Sequence, residues 1–245
     1  MKKKTILVLG AKSDIGLATA YHFAKFSYNI QLAARNINDL KMVSSDISIR
    51  YNVDTSLYEF DVIKKNLYEG FLNSLSITPD IVLNTIGFMG EQKNNEKNKD
   101  NASLVFQSNY EGPSLIFSEF ANLFEERGYG TLIGVSSVAG ERGRASNYIY
   151  GSAKAAYTVY LSGLRNRLAK KNVRVITILP GFVDTKMTAG MNLPQKLLAK
   201  PSEVARAIFL AYNGNKEVVY VKPIWRYIMF IVKIIPEKIF KYLNI

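Results

Sequence analysis

The sequence has no cysteine and only one histidine, His22, among its 245 residues. The absence of cysteine excludes disulfide bonds and thiol chemistry, and it is compatible with a reducing cytoplasm. A metal site would need further ligands at suitable spacing around His22, and none is present, so we expect this side chain to pack or to face solvent. The apolar runs near the two ends of the chain are shorter than the roughly 20 residues that cross a bilayer.

Negative charge is also scarce. The chain has 20 acidic residues against 32 lysines and arginines, which gives a net charge of +12. Such an excess is typical of proteins that contact nucleic acid, a membrane surface or anionic substrates. The lysines are scattered, and no basic cluster is interleaved with aromatic side chains, so we do not predict nucleic-acid binding. Because 48% of the residues are hydrophobic, the chain can bury one large core, and we expect a single domain over residues 1–245.

Short apolar runs alternate with helical patterns along the chain. We predict strands over residues 5–9, 29–34, 58–62, 81–84, 130–137, 173–179 and 217–221. Alternation of this kind predicts an α/β fold, a doubly wound parallel sheet of about seven strands with helices on both faces. The polar run 91–101 is expected to be a surface loop near the site, because the alternation resumes directly after it.

A glycine-rich turn separates the first strand from the first helix. The backbone N–H groups of such a turn face a pyrophosphate, and the helix N-terminus adds its positive dipole. The residues predicted to contact a dinucleotide there are Gly10, Lys12, Ser13, Asp14, Ile15 and Gly16. Arg35 follows the second strand, where an acid accepts the ribose 2′-hydroxyl of NAD and an arginine binds the 2′-phosphate of NADP. Arg35, with Lys12 nearby, favours NADP over NAD; the alternative is a solvated loop cation.

Tyr150 and Lys154 stand four residues apart in a helical pattern that begins near Tyr150, so they share one face of the helix. A cation beside a phenol stabilises the phenolate, so we expect the pKa of Tyr150 to fall below about 10. The tyrosine would then serve as a general acid–base near neutral pH. Ser137 ends a predicted strand, which is where catalytic groups lie in α/β sheets. A Tyr-x-x-x-Lys pair by itself also occurs on surface helices.

Together with Pro180–Gly181 after the sixth strand, these motifs resemble the short-chain dehydrogenase/reductase family over nearly the whole chain. The resemblance implies a Rossmann fold, an NAD(P)-dependent oxidoreductase and a substrate lid over 186–194. It implies a catalytic set of Ser137, Tyr150, Lys154 and Asn109, in which Asn109 holds a water of a proton relay. It adds to the cofactor-binding residues Asp61, Val62, Asn84, Gly87, Tyr150, Lys154, Pro180, Gly181, Val183 and Thr185. The chain departs from the family pattern at Asp14, where a glycine is usual.

The C-terminal segment 224–245 predicts an amphipathic helix that Pro236 kinks or restarts. Its apolar side would carry Trp225, Met229, Val232, Ile235, Ile239 and Leu243. An aromatic and cationic segment of this kind is typical of peripheral membrane contact. The alternative is packing on a partner subunit, since the family resemblance also implies a homo-oligomer.

This tail and the segments 136–147 and 180–191 resemble the decaprenylphosphoryl-2-keto-ribose reductases in particular. That resemblance implies NADPH-dependent reduction of a keto-sugar on a polyprenyl phosphate, in the cytoplasm at the inner face of the membrane. Arg142 and Arg144 would then lie near the lipid phosphate, or else be ordinary loop charges. The alternatives are a soluble ketoreductase of an acyl or steroid-like ketone and a catalytically silent NADP-binding regulator. A nucleotide-sugar epimerase is disfavoured by the short chain.

Overall fold

A computed structural model of the protein describes residues 3–243. Seven strands form one parallel sheet in the order β3-β2-β1-β4-β5-β6-β7. They are β1 (Thr5–Leu9), β2 (Asn29–Ala34), β3 (Thr55–Glu59), β4 (Ile81–Asn84), β5 (Gly130–Val135), β6 (Val173–Pro180) and β7 (Val218–Val221). The predicted doubly wound α/β fold is confirmed.

Helices connect the strands and cover both faces of the sheet. They are α1 (Asp14–Lys25), α2 (Lys41–Tyr51), α3 (Tyr68–Ser74), α4 (Gln92–Lys97), α5 (Lys99–Phe106), α6 (Gly112–Arg127), α7 (Tyr148–Leu168), α8 (Pro201–Asn213), α9 (Ile224–Ile234) and α10 (Glu237–Phe240). Successive side chains of a strand point to opposite faces. In β1, Ile6 and Val8 therefore pack with α1, α2 and α8, whereas Leu7 and Leu9 pack with α6 and α7.

The third strand lies three residues earlier than predicted. The parallel register aligns Ile30 with Thr55 and Ala34 with Glu59, so the strand ends where its neighbour β2 ends. Asp61 and Val62 consequently follow the strand instead of closing it. An apolar stretch alone does not reveal where a neighbouring strand stops.

The prediction of a loop over 91–101 is wrong, because this run forms α4 and the start of α5. The Asn98 side chain accepts hydrogen bonds from the backbone N–H groups of Asp100 and Asn101 and so caps α5. Asn95 is buried and donates to the Met89 carbonyl at 3.0 Å. The asparagine cap thus accounts for the start of α5, whereas α4 has no side-chain cap.

The tail forms two helices, and α10 starts directly after Pro236, as predicted for a restart. The predicted apolar side contacts the domain itself and not a membrane or a partner subunit at its N-terminal end, because Trp225 and Met229 are buried against Val138 and Leu179. The outward face of α9 exposes Ile224, Tyr227, Phe230, Ile231 and Ile234. Within residues 3–243, no helix combines the length and hydropathy needed to cross a membrane. The last two residues of the predicted tail, 244–245, lie outside the described part.

Candidate active site

A cleft opens at the carboxyl ends of β1 and β4, where the strand order reverses and open α/β sheets bind ligands. It consists of two adjoining cavities of about 860 Å³ and 390 Å³. Five residues line both of them: Lys12, Ser13, Thr85, Ile86 and Gly87. The cleft therefore continues from one cavity into the other past the glycine-rich turn.

The glycine-rich turn is held by hydrogen bonds between its own residues and β4. Gly10 has a φ of +81°, and a Cβ there would lie 2.9 Å from the backbone nitrogen of Ile86, so only glycine fits. The Ser13 hydroxyl accepts from the Gly16 N–H at 3.0 Å and contacts the Thr85 hydroxyl at 2.9 Å. Gly10 lines the smaller cavity, and Ile15 lines the larger. Gly16 lines neither cavity, and its backbone N–H supports the turn by donating to the Ser13 hydroxyl.

Asp14, the residue that departs from the family pattern, joins the turn to the predicted lid. Its carboxylate accepts a hydrogen bond from the backbone N–H of Lys186 at 2.8 Å, across 172 residues of sequence. Asp14 and Lys186 both line the larger cavity. The substitution leaves the turn intact and adds a contact that the sequence pattern did not predict.

The smaller cavity contains the residues predicted for the adenosine end of a dinucleotide. Arg35, Asp61 and Val62 line it. Arg35 is exposed and forms no ion pair within the described residues, whereas Lys12 pairs with Asp39. Arg35 is thus the cation at this end that stays available to an anionic group.

Ser137, Tyr150 and Lys154 line the larger cavity together. Ser137 follows β5, and its hydroxyl accepts from the Ala139 N–H at 3.1 Å. Helix α7 begins at Tyr148 and carries Tyr150 and Lys154 on consecutive turns. The Lys154 ammonium lies 5.7 Å from the centre of the Tyr150 ring. The preceding serine, Ser136, also lines this cavity, and its hydroxyl donates to the Lys154 carbonyl at 3.0 Å and contacts the Thr158 hydroxyl.

The pKa values at this site differ from the expectation. Burial raises the pKa of Tyr150 to about 12, although a hydrogen bond with Ser137 opposes the rise. Burial also lowers the pKa of Lys154 to about 8. The expected fall in the Tyr150 pKa is therefore wrong, because desolvation of the phenol outweighs the hydrogen bond that lowers its pKa. The Lys154 ammonium donates to the Val135 carbonyl at 3.2 Å. At neutral pH Tyr150 holds its proton and is an acid.

Asn109 and Asn84 are fully buried and line neither cavity. Asn109 lies on a π-helical turn between α5 and α6, Gln107–Glu111, a geometry that often marks functional sites. Its amide donates to the Val105 carbonyl at 2.8 Å, and its oxygen accepts from the Phe88 N–H at 3.3 Å. Asn84 donates to the Tyr157 hydroxyl at 3.2 Å and braces the sheet instead of facing a cofactor.

At Gly87, two side chains of the predicted catalytic set come close to the backbone that follows β4. A Cβ there would lie 3.0 Å from the Asn109 side-chain oxygen and 3.6 Å from the Lys154 ammonium nitrogen. The four residues of the predicted catalytic set therefore surround one end of the cleft, with Asn109 behind its wall.

The loop after β6 closes the larger cavity. Pro180, Gly181, Val183 and Thr185 all line it, as does the indole of Trp225 from α9. A Cβ on Gly181 would lie 2.0 Å from that indole, so the helix packs directly on the loop. Met187, Met191 and Leu193 of the predicted lid complete this side.

Comparison with known proteins agrees with this geometry. Residues 4–196 match the profile of the short chain dehydrogenase family, which is most of the chain. The chain belongs to the short chain dehydrogenase family. An uncharacterized oxidoreductase of Streptomyces coelicolor is 32% identical over 97% of this chain and 95% of its own length. The prediction of a dehydrogenase/reductase is confirmed at the level of the family.

Two further relatives of the short chain dehydrogenase family bear on the cofactor. An NADP-dependent 3-hydroxy acid dehydrogenase of Schizosaccharomyces pombe is 26% identical over 88% of this chain and 89% of its own. A short-chain dehydrogenase from Sphingobium yanoikuyae, solved with NADPH, superposes with a TM-score of 0.82 at 19% identity, covering 96% and 97% of the two chains. These comparisons do not address the finer resemblance to decaprenylphosphoryl-2-keto-ribose reductases.

The residues present fit a nicotinamide dinucleotide. The two cavities form one elongated cleft, and a Cβ at Gly10 or Gly87 would crowd it. The N-terminus of α1 faces the middle of this cleft, and Arg35 stands at one end. The cleft of this short chain dehydrogenase therefore has the N-terminus of α1 at its middle, Arg35 in one cavity, and Ser137, Tyr150 and Lys154 in the other.

Several residues of the site carry no signal in the sequence. The Thr85 hydroxyl donates to the carbonyls of Leu9 and Gly10. Trp225 belongs to the tail, which the sequence predicts to contact a membrane or a partner subunit. Such contacts join segments far apart in the chain, which a motif search does not bring together.

Proposed function

We propose that this protein is an NADPH-dependent reductase that converts a ketone to an alcohol. The observation that carries the proposal is that Ser137, Tyr150 and Lys154 line one cavity, which continues past the glycine-rich turn to Arg35. A Tyr-x-x-x-Lys pair on an ordinary surface helix would not be expected to share a cleft with Ser137 at a strand end and with a groove long enough for a dinucleotide.

When bound, NADPH would supply the hydride. The hydroxyls of Ser137 and Tyr150 hold the carbonyl oxygen where negative charge develops. Tyr150 is protonated at neutral pH and gives its proton to that oxygen. Lys154, charged below a pKa of about 8, stabilises the anionic phenolate that remains. Asn109 lies behind Gly87 and completes the proton relay in this proposal.

NADP is the cofactor we propose in preference to NAD. Arg35 lines the smaller cavity and has no ion-pair partner among the described residues, so it is free to bind a 2′-phosphate. The Schizosaccharomyces pombe relative is NADP-dependent, and the Sphingobium yanoikuyae structure contains NADPH. Both observations support the choice.

For the substrate we propose a keto-sugar carried on a polyprenyl phosphate, as in cell-surface polysaccharide synthesis. The larger cavity, at about 860 Å³, has room for a sugar beside a nicotinamide. Its outer wall is built from Met187, Met191, Leu193 and Trp225, which suits a lipid chain. Trp225 belongs to α9, so the helix that exposes apolar side chains to solvent also borders the substrate cavity.

The exposed face of α9 supports peripheral membrane contact. Tyr227, Phe230, Ile231 and Ile234 lie on that face, and the cations Arg226, Lys238 and Lys241 of the tail are also exposed. Aromatic and cationic residues together favour an anionic lipid surface. The proposal places the protein in the cytoplasm at the inner face of the membrane.

A homo-oligomer would use other surfaces in this proposal. Leu115 and Leu123 of α6 and Val159 of α7 are exposed apolar residues away from the tail. Packing of these helices against a second copy would leave α9 free for lipid. In the alternative, the tail packs on a partner subunit, so α9 is covered and the exposed residues of α6 and α7 stay free.

The test is NADPH oxidation measured over a matched panel of ketones: a keto-sugar with a polyprenyl phosphate, the same keto-sugar without it, and simple acyl and steroid-like ketones. The proposal predicts the highest kcat/KM for the lipid-linked compound. Preference for a simple ketone would favour the soluble ketoreductase. Tight NADPH binding without turnover of any compound would favour the silent regulator.

A further inference from the structure

Two arginines of the loop between β5 and α7, Arg142 and Arg144, were both predicted to lie near a phosphate, and the structure separates their roles. The Arg142 guanidinium donates to Glu237 at 2.8 Å and to the Lys233 carbonyl at 2.9 Å. It also lies 4.0 Å from the centre of the Phe240 ring. Arg142 therefore fastens α9 and α10 to the domain and is not available to a ligand.

Arg144 lines the larger cavity and has no counter-charge. Its side chain forms no ion pair or hydrogen bond within residues 3–243, and its Nε is closed off from solvent without a partner. Arg144 is half-buried, and removing an unpaired cation from water even in part is costly, so such a guanidinium normally has an anion beside it. The acids that line the same cavity are otherwise engaged: Asp14 accepts from Lys186, and Glu91 accepts from Asn94 at 2.8 Å.

A second unsatisfied group lies in the same loop. Asn147 lines the cavity, and its side-chain oxygen is also buried without a partner, so this atom could accept a hydrogen bond from a substrate donor but could not hold an anion. Its backbone N–H donates to the Arg144 carbonyl at 3.0 Å, and its carbonyl accepts from the Gly151 N–H at 2.7 Å at the start of α7. The turn thus connects Arg144 directly to the helix of Tyr150. Ser146, between them, lines the cavity as well.

We propose that Arg144, with the Ser146 hydroxyl, forms an oxyanion subsite, so that the ketone substrate carries a phosphate or a carboxylate close to its carbonyl group. The guanidinium offers a planar pair of N–H donors that matches either group, and the hydroxyl adds a neutral donor. This inference rests on the proposed reductase function and assigns the anionic group of its substrate to Arg144.

The experiment compares charged and neutral members of matched pairs: acetoacetate with methyl acetoacetate, and dihydroxyacetone phosphate with dihydroxyacetone. The variants are Arg144→Gln, Arg144→Lys as the charge-conserving substitution, and Arg142→Gln as the control two residues away. We expect Arg144→Gln to lower the charged-to-neutral ratio of kcat/KM by 10-fold or more for the pair that the wild type prefers. Arg144→Lys should lower it less, and Arg142→Gln should leave it unchanged. The pair that the wild type prefers shows whether the subsite binds a carboxylate or a phosphate.

A second readout does not depend on turnover. With NADP at saturation, inorganic phosphate should raise the melting temperature of the wild type and not that of Arg144→Gln. An unchanged ratio in Arg144→Gln, or an equal loss for the charged and neutral ketones, would overturn the subsite. If no ketone is reduced by the wild type, the reductase proposal fails, and the phosphate shift still decides whether Arg144 binds an anion.

Discussion

At the scale of single residues, the central feature is a phenol and an ammonium that burial pushes in opposite directions. The pKa of Tyr150 rises to about 12, and that of Lys154 falls to about 8. In the proposed reaction, the first shift keeps a proton available for transfer to a carbonyl oxygen. The second shift means that the positive charge of Lys154 destabilises the folded state, because Lys154 is 3% exposed and has only a carbonyl as its partner.

We predict that Lys154→Met increases stability at pH 7. Because the folded pKa of the lysine lies below its unfolded value of 10.5, the folded state binds fewer protons between pH 8 and 10.5, and stability from this group rises over that range. The variant should therefore exceed the wild type by about 1–3 kcal/mol at pH 7, and the difference should shrink towards pH 10. Urea unfolding at several pH values measures it. Lys99→Met, on an exposed lysine, is the control, and a destabilised Lys154→Met would contradict the assignment.

The spacing of Tyr150 and Lys154 predicted that they share one helical face, and Asn109 joined the predicted catalytic set only through the family resemblance. The environment of these side chains could not be predicted. The sequence places Tyr150 and Lys154 on one helical face, which α7 confirms. It does not show that the lysine ammonium binds Val135 or that both groups lose solvent, because these depend on β5 and the lid packing around them. The predicted direction of the tyrosine pKa shift was wrong for that reason.

At the scale of elements, the contact between Asp14 and Lys186 is the least expected. It joins the N-terminus of α1 to the lid, although the two segments are separated by most of the chain. The prediction of strands succeeded where each run was short, apolar and flanked by turns, as in β1 and β4. It failed for β3, whose end is set by its partner strand. The loop prediction failed for the polar helices α4 and α5, of which α5 begins at an asparagine cap.

We predict that Asp14→Ala loosens the lid. Removing the carboxylate leaves the Lys186 N–H without its acceptor, so amide hydrogen exchange over 185–191 should become at least several-fold faster. Exchange in β5 should stay unchanged. The matched variant Asp14→Asn keeps an acceptor oxygen and should give a smaller increase. Equal exchange in all three proteins would show that this contact does not hold the lid.

At the scale of the whole molecule, the tail connects a surface to the active site. One side of α9 buries Trp225 against Gly181, and the other side exposes an apolar face. Arg142 ties the tail to the loop that also carries Arg144. A protein anchored through that outer face would hold its substrate cavity next to the surface it binds.

We predict that the triple substitution Phe230→Ser, Ile231→Ser and Ile234→Ser abolishes binding to vesicles that contain anionic lipid. The three side chains are exposed, so the fold and the reduction of a water-soluble ketone should persist. Deleting residues 224–245 is a poorer test because it removes Trp225 from the cavity wall. Flotation with vesicles measures binding. If the wild type does not float and the variant changes only its size in gel filtration, the face is a subunit interface.

The most direct test of the proposed reaction uses NADPH deuterated at the transferred position and follows the label into the product alcohol by mass spectrometry. The wild type should form singly deuterated alcohol from its preferred ketone. Tyr150→Phe should form this product at least 10²-fold more slowly than the wild type, because it lacks the proton donor. Its NADPH dissociation constant should stay within about threefold of the wild-type value. Deuterated product at the wild-type rate from Tyr150→Phe would contradict the account.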